Sequence, residues 1–334
     1  MRAIVIPRFG GPEVLEVRDV PTPEPGLGEV TVDVAYAGVN YAEVLYRRGV
    51  VDVPLPFVPG IEVAGHIRTL GPGVAGLRVG EPVAALTIVD SGGYAEVARV
   101  AAALTFPLDT LAPGLDLATA AAFPSNTTTA MLVLSAVAHL RRGERALIHG
   151  ATGGVGSVLG QVARALGAGQ VLGTVGSAAK MDAAAGYGYD TVLLSEGFAD
   201  ALADATGGAG VDVVVDPVGG AARRQSLAAL NTLGRLVAMG NASDAADVPV
   251  SANDLWFSGR AVLGFNLALL SARAPGRVRA AAEEALRLVA RGEVRVDVSG
   301  VLPLDQAAEA HRRIEERAVR GKLVLHLGAD YTRQ

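Results

Sequence analysis

The sequence predicts an α/β chain in which a doubly wound, parallel six-stranded sheet stands beside a smaller β-rich domain. Three observations predict it. Residues 146–156 run from an apolar strand pattern into a glycine cluster and then a helical pattern. From Arg145 onward, short apolar runs alternate with helical segments, the rhythm of βα units joined into a parallel sheet. The first third is instead punctuated by Pro and Gly, with short alternating or β-branched runs between them, the texture of a compact β domain.

In the first third the expected strands are 3–6, 29–36, 61–70, 82–88 and 93–97. The texture changes at Asp116, where 116–122 and 127–140 read as helices. Six strands follow, at 145–149, 170–175, 191–194, 212–216, 234–239 and 261–266. The first is followed by a helix whose apolar stripe is Val158, Leu159, Val162, Ala163, Ala165 and Leu166 and which Gly167 ends. Residues 277–291 form a further helix, with Val278, Ala281, Ala282, Ala285, Leu286 and Val289 on one side. The tail returns to strand at 296–302, helix at 305–316 and strand at 322–326. A terminal strand after a helix is expected to rejoin the first domain, which makes that domain discontinuous: 1–124 and 268–334, with 125–267 between.

Composition narrows the function. Half of the 334 residues are hydrophobic and 19% are charged, a globular balance. The net charge of −5 gives no general attraction to nucleic acid or an anionic membrane, so neither is an expected partner. The chain has no cysteine, which removes disulfides, thiolate catalysis and cysteine-ligated metal sites. The start of the chain shows no secretory pattern and no apolar run approaches a membrane span, so a cytoplasmic protein is expected.

The stretch Ala146-Leu147-Ile148-His149-Gly150-Ala151-Thr152-Gly153-Gly154-Val155-Gly156 reads as a phosphate-binding turn. Glycines let the backbone approach a pyrophosphate, whose charge is met by N–H groups at the N-terminus of the next helix. The following strand ends about 20 residues on, where an acidic residue would select NAD through its ribose. The residues there are Gly176, Ser177, Ala178, Ala179 and Lys180. Nothing there repels a 2′-phosphate and a cation is close by, so NADPH is the expected cofactor. In the plainer alternative Ser177 caps the next helix and Lys180 is solvated.

Further marks lie along the chain: Ala37-Gly38-Val39-Asn40-Tyr41, Val58-Pro59-Gly60-Ile61-Glu62-Val63-Ala64-Gly65, Gly234-Arg235-Leu236-Val237, the segment Pro303 to His311, and Gly321-Lys322-Leu323-Val324-Leu325. With the glycine turn they make the chain resemble, over nearly its whole length, the zinc-independent quinone oxidoreductase branch of the medium-chain dehydrogenase/reductase superfamily. That resemblance implies a GroES-like β domain plus a Rossmann domain, with the active site in the cleft. Zinc-dependent members use cysteine and histidine ligands where this chain has Gly38 and Ile61, so a tetrahedral zinc site cannot be assembled and no metal is expected. The implied reaction is hydride transfer from NADPH to a quinone or to the C=C bond of an α,β-unsaturated carbonyl compound.

By the same resemblance, Asn40 and Thr129 match positions beside the nicotinamide, and Tyr41 borders the substrate either as a proton donor or as a wall of the cleft. Gly153, Gly154, Val155 and Gly156 cradle the pyrophosphate, and Ser177 and Lys180 meet the 2′-phosphate. Gly240, Asn241, Phe265 and Asn266 lie at strand ends near the nicotinamide. Lys322 either reaches the cofactor from the other domain or is a surface residue of the last strand. Two positions depart from the family pattern: Leu45 stands where an aromatic is usual, and Ser195 where an aromatic can cover the adenine. His66, His139, His149, His311 and His326 show no ligand or triad spacing. Trp256 and Phe257 are core or pocket lining.

Two rivals stand beside this reading, a reductase of enoyl thioesters in a biosynthetic pathway and a cofactor-binding protein with little turnover. The run 261–266 would be an unprotected apolar edge in a monomer, so a homodimer paired through it is expected.

Overall fold

The computed structural model describes residues 1–328. The first seven strands are β1 (Arg2–Val5), β2 (Glu16–Asp19), β3 (Glu29–Val39), β4 (Glu62–Leu70), β5 (Pro82–Leu86), β6 (Val97–Ala101) and β7 (Thr105–Pro107). Then come β8 (Arg145–His149), β9 (Gln170–Val175), β10 (Thr191–Leu194), β11 (Val211–Asp216), β12 (Leu230–Ala238) and β13 (Ala261–Gly264). The tail adds β14 (Val298–Pro303) and β15 (Lys322–His326). The helices used below are α1 (Tyr41–Arg48), α2 (Leu117–Ala122), α3 (Pro124–Met131), α4 (Gly156–Ala165), α5 (Gly220–Ala228), α6 (Ala252–Ser258), α7 (Pro275–Ala290) and α8 (Ala307–Glu315).

The chain forms two compact units. One comprises Met1–Thr128, Leu267–Arg291 and the residues from Val296 on; the other comprises Thr129–Asn266 and Gly292–Arg295.

In the second unit, six parallel strands lie in the order β10-β9-β8-β11-β12-β13. Counted from β8 this is 3-2-1-4-5-6, the dinucleotide-binding order, with its switch point between β8 and β11. The central strands are apolar on both faces because helices cover both: Ala146, Leu147 and Ile148 of β8 and Val213, Val214 and Val215 of β11 are fully buried. Burying a Val, Leu or Ile side chain contributes about 1.5–3 kcal/mol, so these strands anchor the sheet. Gly160 lets α4 lie close to the chain before β10: a Cβ there would sit 2.3 Å from the Tyr187 carbonyl and 2.8 Å from the Tyr189 ring. Tyr189 then donates to the Gly156 carbonyl at 2.6 Å, fixing the start of the helix.

The first unit is built on the long β3, which pairs antiparallel with β4, β6 and β15. Strand β15 brings the C-terminal segment against the middle of the molecule's N-terminal third, with Gly38 opposite Val324 and Val39 opposite Leu323. Strand β14 pairs parallel to β15.

Two elements differ from the sequence reading. Residues 93–97 do not form a strand: Gly92, Gly93 and Tyr94 donate to the carbonyls of Val58, Gly60 and Pro59, and the strand starts at Val97. Those amides go to a neighbouring loop rather than to a ladder. The helix expected over 127–140 starts at Pro124 and widens into a π turn over Leu132–Val137, where Ala138 N–H reaches back to Val133. Ser135 donates its hydroxyl to the Met131 carbonyl at 2.7 Å within this stretch.

Candidate functional site

The glycine turn sits at the carboxyl end of β8, at the switch point. Gly150 has φ +71°, a left-handed conformation that favours glycine, and Gly153 N–H closes the turn on the Gly150 carbonyl at 2.9 Å. Gly156 passes so close to Gly150 that a Cβ would lie 2.0 Å from its carbonyl oxygen. Helix α4 starts there, and in its first turn the N–H groups of Ser157 and Val158 turn to the carbonyls of Gly153 and Val155 at 2.8 and 3.2 Å. Ser157 donates its hydroxyl to the Gly154 carbonyl at 2.9 Å, which steadies the loop from inside. The turn is thus closed on itself at the head of a helix, and its glycines let the backbone at Gly150 and Gly156 pass this close.

After β9, Gly176 and Ser177 are exposed and Lys180 is half-buried at the end of a tight turn closed by Lys180 N–H on Ser177 O at 3.1 Å. Ser177 precedes that turn in extended conformation and makes no side-chain cap. Ser195 is exposed beyond β10, its N–H on the Val175 carbonyl. Gly240 and Asn241 follow β12, and Phe265 and Asn266 follow β13, with Phe265 N–H on the Ala238 carbonyl at 3.0 Å. Asn241 is held within its own loop, donating to Ala245 O at 2.8 Å. Thr129 is buried on α3 and belongs to this unit.

Two groups here were not singled out from the sequence. Asp216, fully buried at the end of β11, accepts from Val218 N–H, Gly219 N–H and Arg223 Nε at 2.7–2.8 Å. Arg223 in turn donates to Gly240 O at 2.8 Å, joining the loops after β11 and β12. His149 is a buried structural residue, bonded to Thr174 at 2.9 Å and Ser226 at 2.7 Å. Burial pulls its pKa down to about 4, against the pull of Asp216, so it is neutral at physiological pH.

In the first unit, Asn40 and Lys322 meet although 282 residues separate them. Lys322 is not a surface residue: it is 3% exposed, donates to Asn40 Oδ1 and pairs with Glu62. The Asn40 amide donates to Glu62 Oε1 at 2.9 Å and to Glu43 Oε1 at 3.4 Å. Glu43 also accepts from Asn40 N–H at 3.0 Å and from Ile61 N–H at 3.1 Å. Glu62 accepts from Ser125 N–H at 2.7 Å. Both carboxylates are fully buried. Burial raises the Glu43 pKa to about 7, helped by Glu62 and opposed by Lys322 and the backbone donors. Glu43 and Glu62 were also not singled out, though each left a signal: Glu43 stands at the third helical position after Asn40, a capping-box spacing, and Glu62 is a lone charge in an apolar run. Tyr41 is half-buried at the start of α1, and Leu45 is half-buried one turn on.

The donor set bears on zinc. Among the described residues no three His, Asp, Glu or Cys side chains gather as a metal site. At Gly38 a Cβ would lie 2.4 Å from Glu62 Oε1, so the space a ligand side chain would need there is taken by the Glu62 carboxylate. The residues present do not fit a tetrahedral zinc ion.

Comparison with known proteins agrees with this architecture. Residues 26–110 match the Alcohol dehydrogenase GroES-like domain family and residues 187–325 the Zinc-binding dehydrogenase family. A quinone oxidoreductase of Pseudomonas aeruginosa is 35% identical, over 95% of this chain and 97% of that protein. The Escherichia coli quinone oxidoreductase, solved in complex with NADPH, has a TM-score of 0.88 at 30% identity, covering 98% of this chain and 100% of that one. A phthioceranic/hydroxyphthioceranic acid synthase of Mycobacterium tuberculosis is 34% identical over 91% of this chain, which corresponds to 14% of its own length. The chain belongs to the quinone oxidoreductase branch of the medium-chain dehydrogenase/reductase superfamily, and it is an oxidoreductase. No described helix is long and apolar enough to cross a membrane.

Proposed function

We propose that this protein reduces a quinone, or the C=C bond of an α,β-unsaturated carbonyl compound, with NADPH and without a metal. The observation that carries the reading is the glycine cradle at the switch point, followed after β9 by exposed Ser177 and by Lys180 in place of an acidic residue. NADPH, when bound, supplies the hydride. The turn Gly153, Gly154, Val155 and Gly156 cradles its diphosphate, and Ser177 and Lys180 hold its 2′-phosphate. Gly240, Asn241, Phe265 and Asn266, all just beyond strand ends, border the nicotinamide end. We assign Asn40, Tyr41 and Thr129 to the reacting region, where Tyr41 donates a proton to, or walls off, the oxygen that gains charge. A conjugated acceptor needs no Lewis acid, because charge moves through its double bonds to oxygen; the absence of a fitting zinc donor set agrees with that class.

Enoyl thioesters are the second acceptor class, and the likeness to a segment of an acid synthase supports a biosynthetic setting for it. We further propose a homodimer paired through β13. This edge strand is only partly buried, and on the preceding α6 Trp256 and Phe257 are 74% and 79% exposed, so they are not core. A monomeric mass in light scattering would refute the dimer.

The test is NADPH absorbance followed against quinones, enones and enoyl thioesters, with NADH alongside. Consumption confined to one class names the acceptor, and binding without consumption across the panel would refute the reductase reading in favour of a low-turnover binding protein. Replacing Lys180 with Ala removes a charged hydrogen bond worth about 1.5–3 kcal/mol, so the preference for NADPH over NADH should fall about ten- to hundredfold.

A further inference from the structure

The cluster around Glu43 is more than packing, because every hydrogen bond to that side chain is donated to it. One carboxylate oxygen receives the N–H of Asn40, at the start of α1, and the other receives the N–H of Ile61, just beyond Gly60. A carboxylate accepts at both oxygens. A primary amide carries an NH2 at one of them and would set donor against donor, while a carboxylic acid carries an O–H that needs an acceptor of its own. The partners of Glu43 are all donors, so the ionised group serves the tie between the first turn of α1 and the Gly60–Ile61 segment best, with no O–H left to place.

Elsewhere the cluster is filled. The Asn40 amide spends its oxygen on Lys322 and its nitrogen on the two carboxylates, so its side chain is directed inward. Lys322 is one cation against two buried carboxylates, and Glu62 holds it in an ion pair. The arrangement sets Asn40 at the head of the helix whose first residue is Tyr41.

We propose that Glu43 is a positioning residue for the reduction: its ionised carboxylate locks the first turn of α1, and with it Asn40 and Tyr41, to the Gly60–Ile61 segment. Lys322 supports that lock by compensating the neighbouring Glu62. The proposal rests on the reductase reading, in which Asn40 and Tyr41 belong to the reacting region.

The lock titrates in the neutral range, since burial brings Glu43 to about 7. The groups facing it are Glu62 from β4, Lys322 from β15, Tyr94 from the loop before β6 and Tyr46 one turn on along α1. Burial, and then Glu43, raise Tyr46 to about 12; burial, then Glu43 and Glu62, raise Tyr94 well above its ordinary value. Neither tyrosine therefore contributes a second ionisation near neutrality.

The experiment is a pH profile of kcat/KM for the acceptor that turns over, in wild type, Glu43→Gln and Lys322→Arg. Wild type should rise about tenfold from one pH unit below the Glu43 pKa to well above it, as the ionised fraction rises. Glu43→Gln should be low and flat, with NADPH Kd within about twofold of wild type, because Glu43 lies outside the cofactor cradle. Lys322→Arg preserves the charge, so its profile should keep the wild-type shape at lower height, because the larger guanidinium crowds a buried site that holds Asn40. A Glu43→Gln profile that still rises like wild type overturns the proposal. Should that variant not fold, wild-type amide exchange decides: protection of the Asn40 and Ile61 amides must rise together across the same ionisation, and independence of pH overturns the lock. A panel with no turnover at all refutes the reductase reading and this role with it, whereas turnover with a shared pH profile refutes this role alone.

Discussion

Gly38→Ala tests the buried cluster through its most crowded point. Gly38 is not at positive φ, so alanine can adopt its backbone and the cost is steric. The new Cβ would lie 2.4 Å from Glu62 Oε1 and 2.7 Å from the Ala121 carbonyl oxygen, both far inside contact distance. Neither neighbour yields cheaply. Ala121 is backbone of α2, and the Glu62 carboxylate is held by Asn40, Ser125 and Lys322. Overpacking costs about 1–3 kcal/mol, and losing one hydrogen bond to a charged group about 1.5–3 kcal/mol. An expected destabilisation of about 3 kcal/mol follows, near the low end of the sum because partial relaxation is open to the side chain. For a unit of this size that lowers Tm by about 6–12 °C in scanning calorimetry. Gly276→Ala is the control: it lies in α7, with open space at its Cβ and no positive φ, and should be neutral or gain up to about 1 kcal/mol. If Gly38→Ala melts within about 2 °C of wild type, Glu62 does not occupy that space tightly and the reasoning about the cluster is wrong.

Gly156→Ala places a Cβ 2.0 Å from the Gly150 carbonyl oxygen and should open the phosphate turn, weakening NADPH binding by more than about tenfold in a fluorescence titration. Unchanged affinity would remove the turn from the cofactor site. Acid should destabilise both units through buried neutral histidines. Burial, and then the nearby Arg47, hold His311 at about 3, and burial holds His149 at about 4. Both folded values are depressed, so the unfolded chain binds more protons below about 6.5. Stability from these two groups is whole above that pH and is lost as pH falls, by about 2 kcal/mol each at pH 5. Glu43 acts in the opposite sense: its raised pKa makes its burial least costly below its unfolded value and most costly above about 7. Urea unfolding across this range in His311→Gln should show the acid loss in the first unit reduced; an unchanged loss would refute the assignment.

Much of the second unit was legible because its signals are local. A parallel strand buried on both faces must be a short apolar run, and a phosphate turn must be glycine-rich, so β8, β9 and β10 fall on the residues whose texture announces them. Strand ends were less legible: β12 starts earlier than its apolar run, at Leu230, and β13 stops at Gly264, before Phe265 and Asn266. Residues 93–97 show the limit in the first unit. Their alternation suits a strand, but the positive-φ residues Ser91 and Gly92 turn the chain so that its amides meet 58–60 instead.

The sequence by itself determined the doubly wound sheet, the glycine cradle and the lack of a cysteine-ligated metal, since each depends on residue type and short-range spacing. Only the tertiary structure decided what Lys322, Asn40, Glu43 and Glu62 do. Their meeting depends on β15 returning to pair with β3, in a register that sets Val324 opposite Gly38 and carries the Lys322 side chain to Asn40. A charge in a sequence is by default solvated; what made these buried and mutually dependent is a strand pairing across most of the chain's length, which no local pattern encodes.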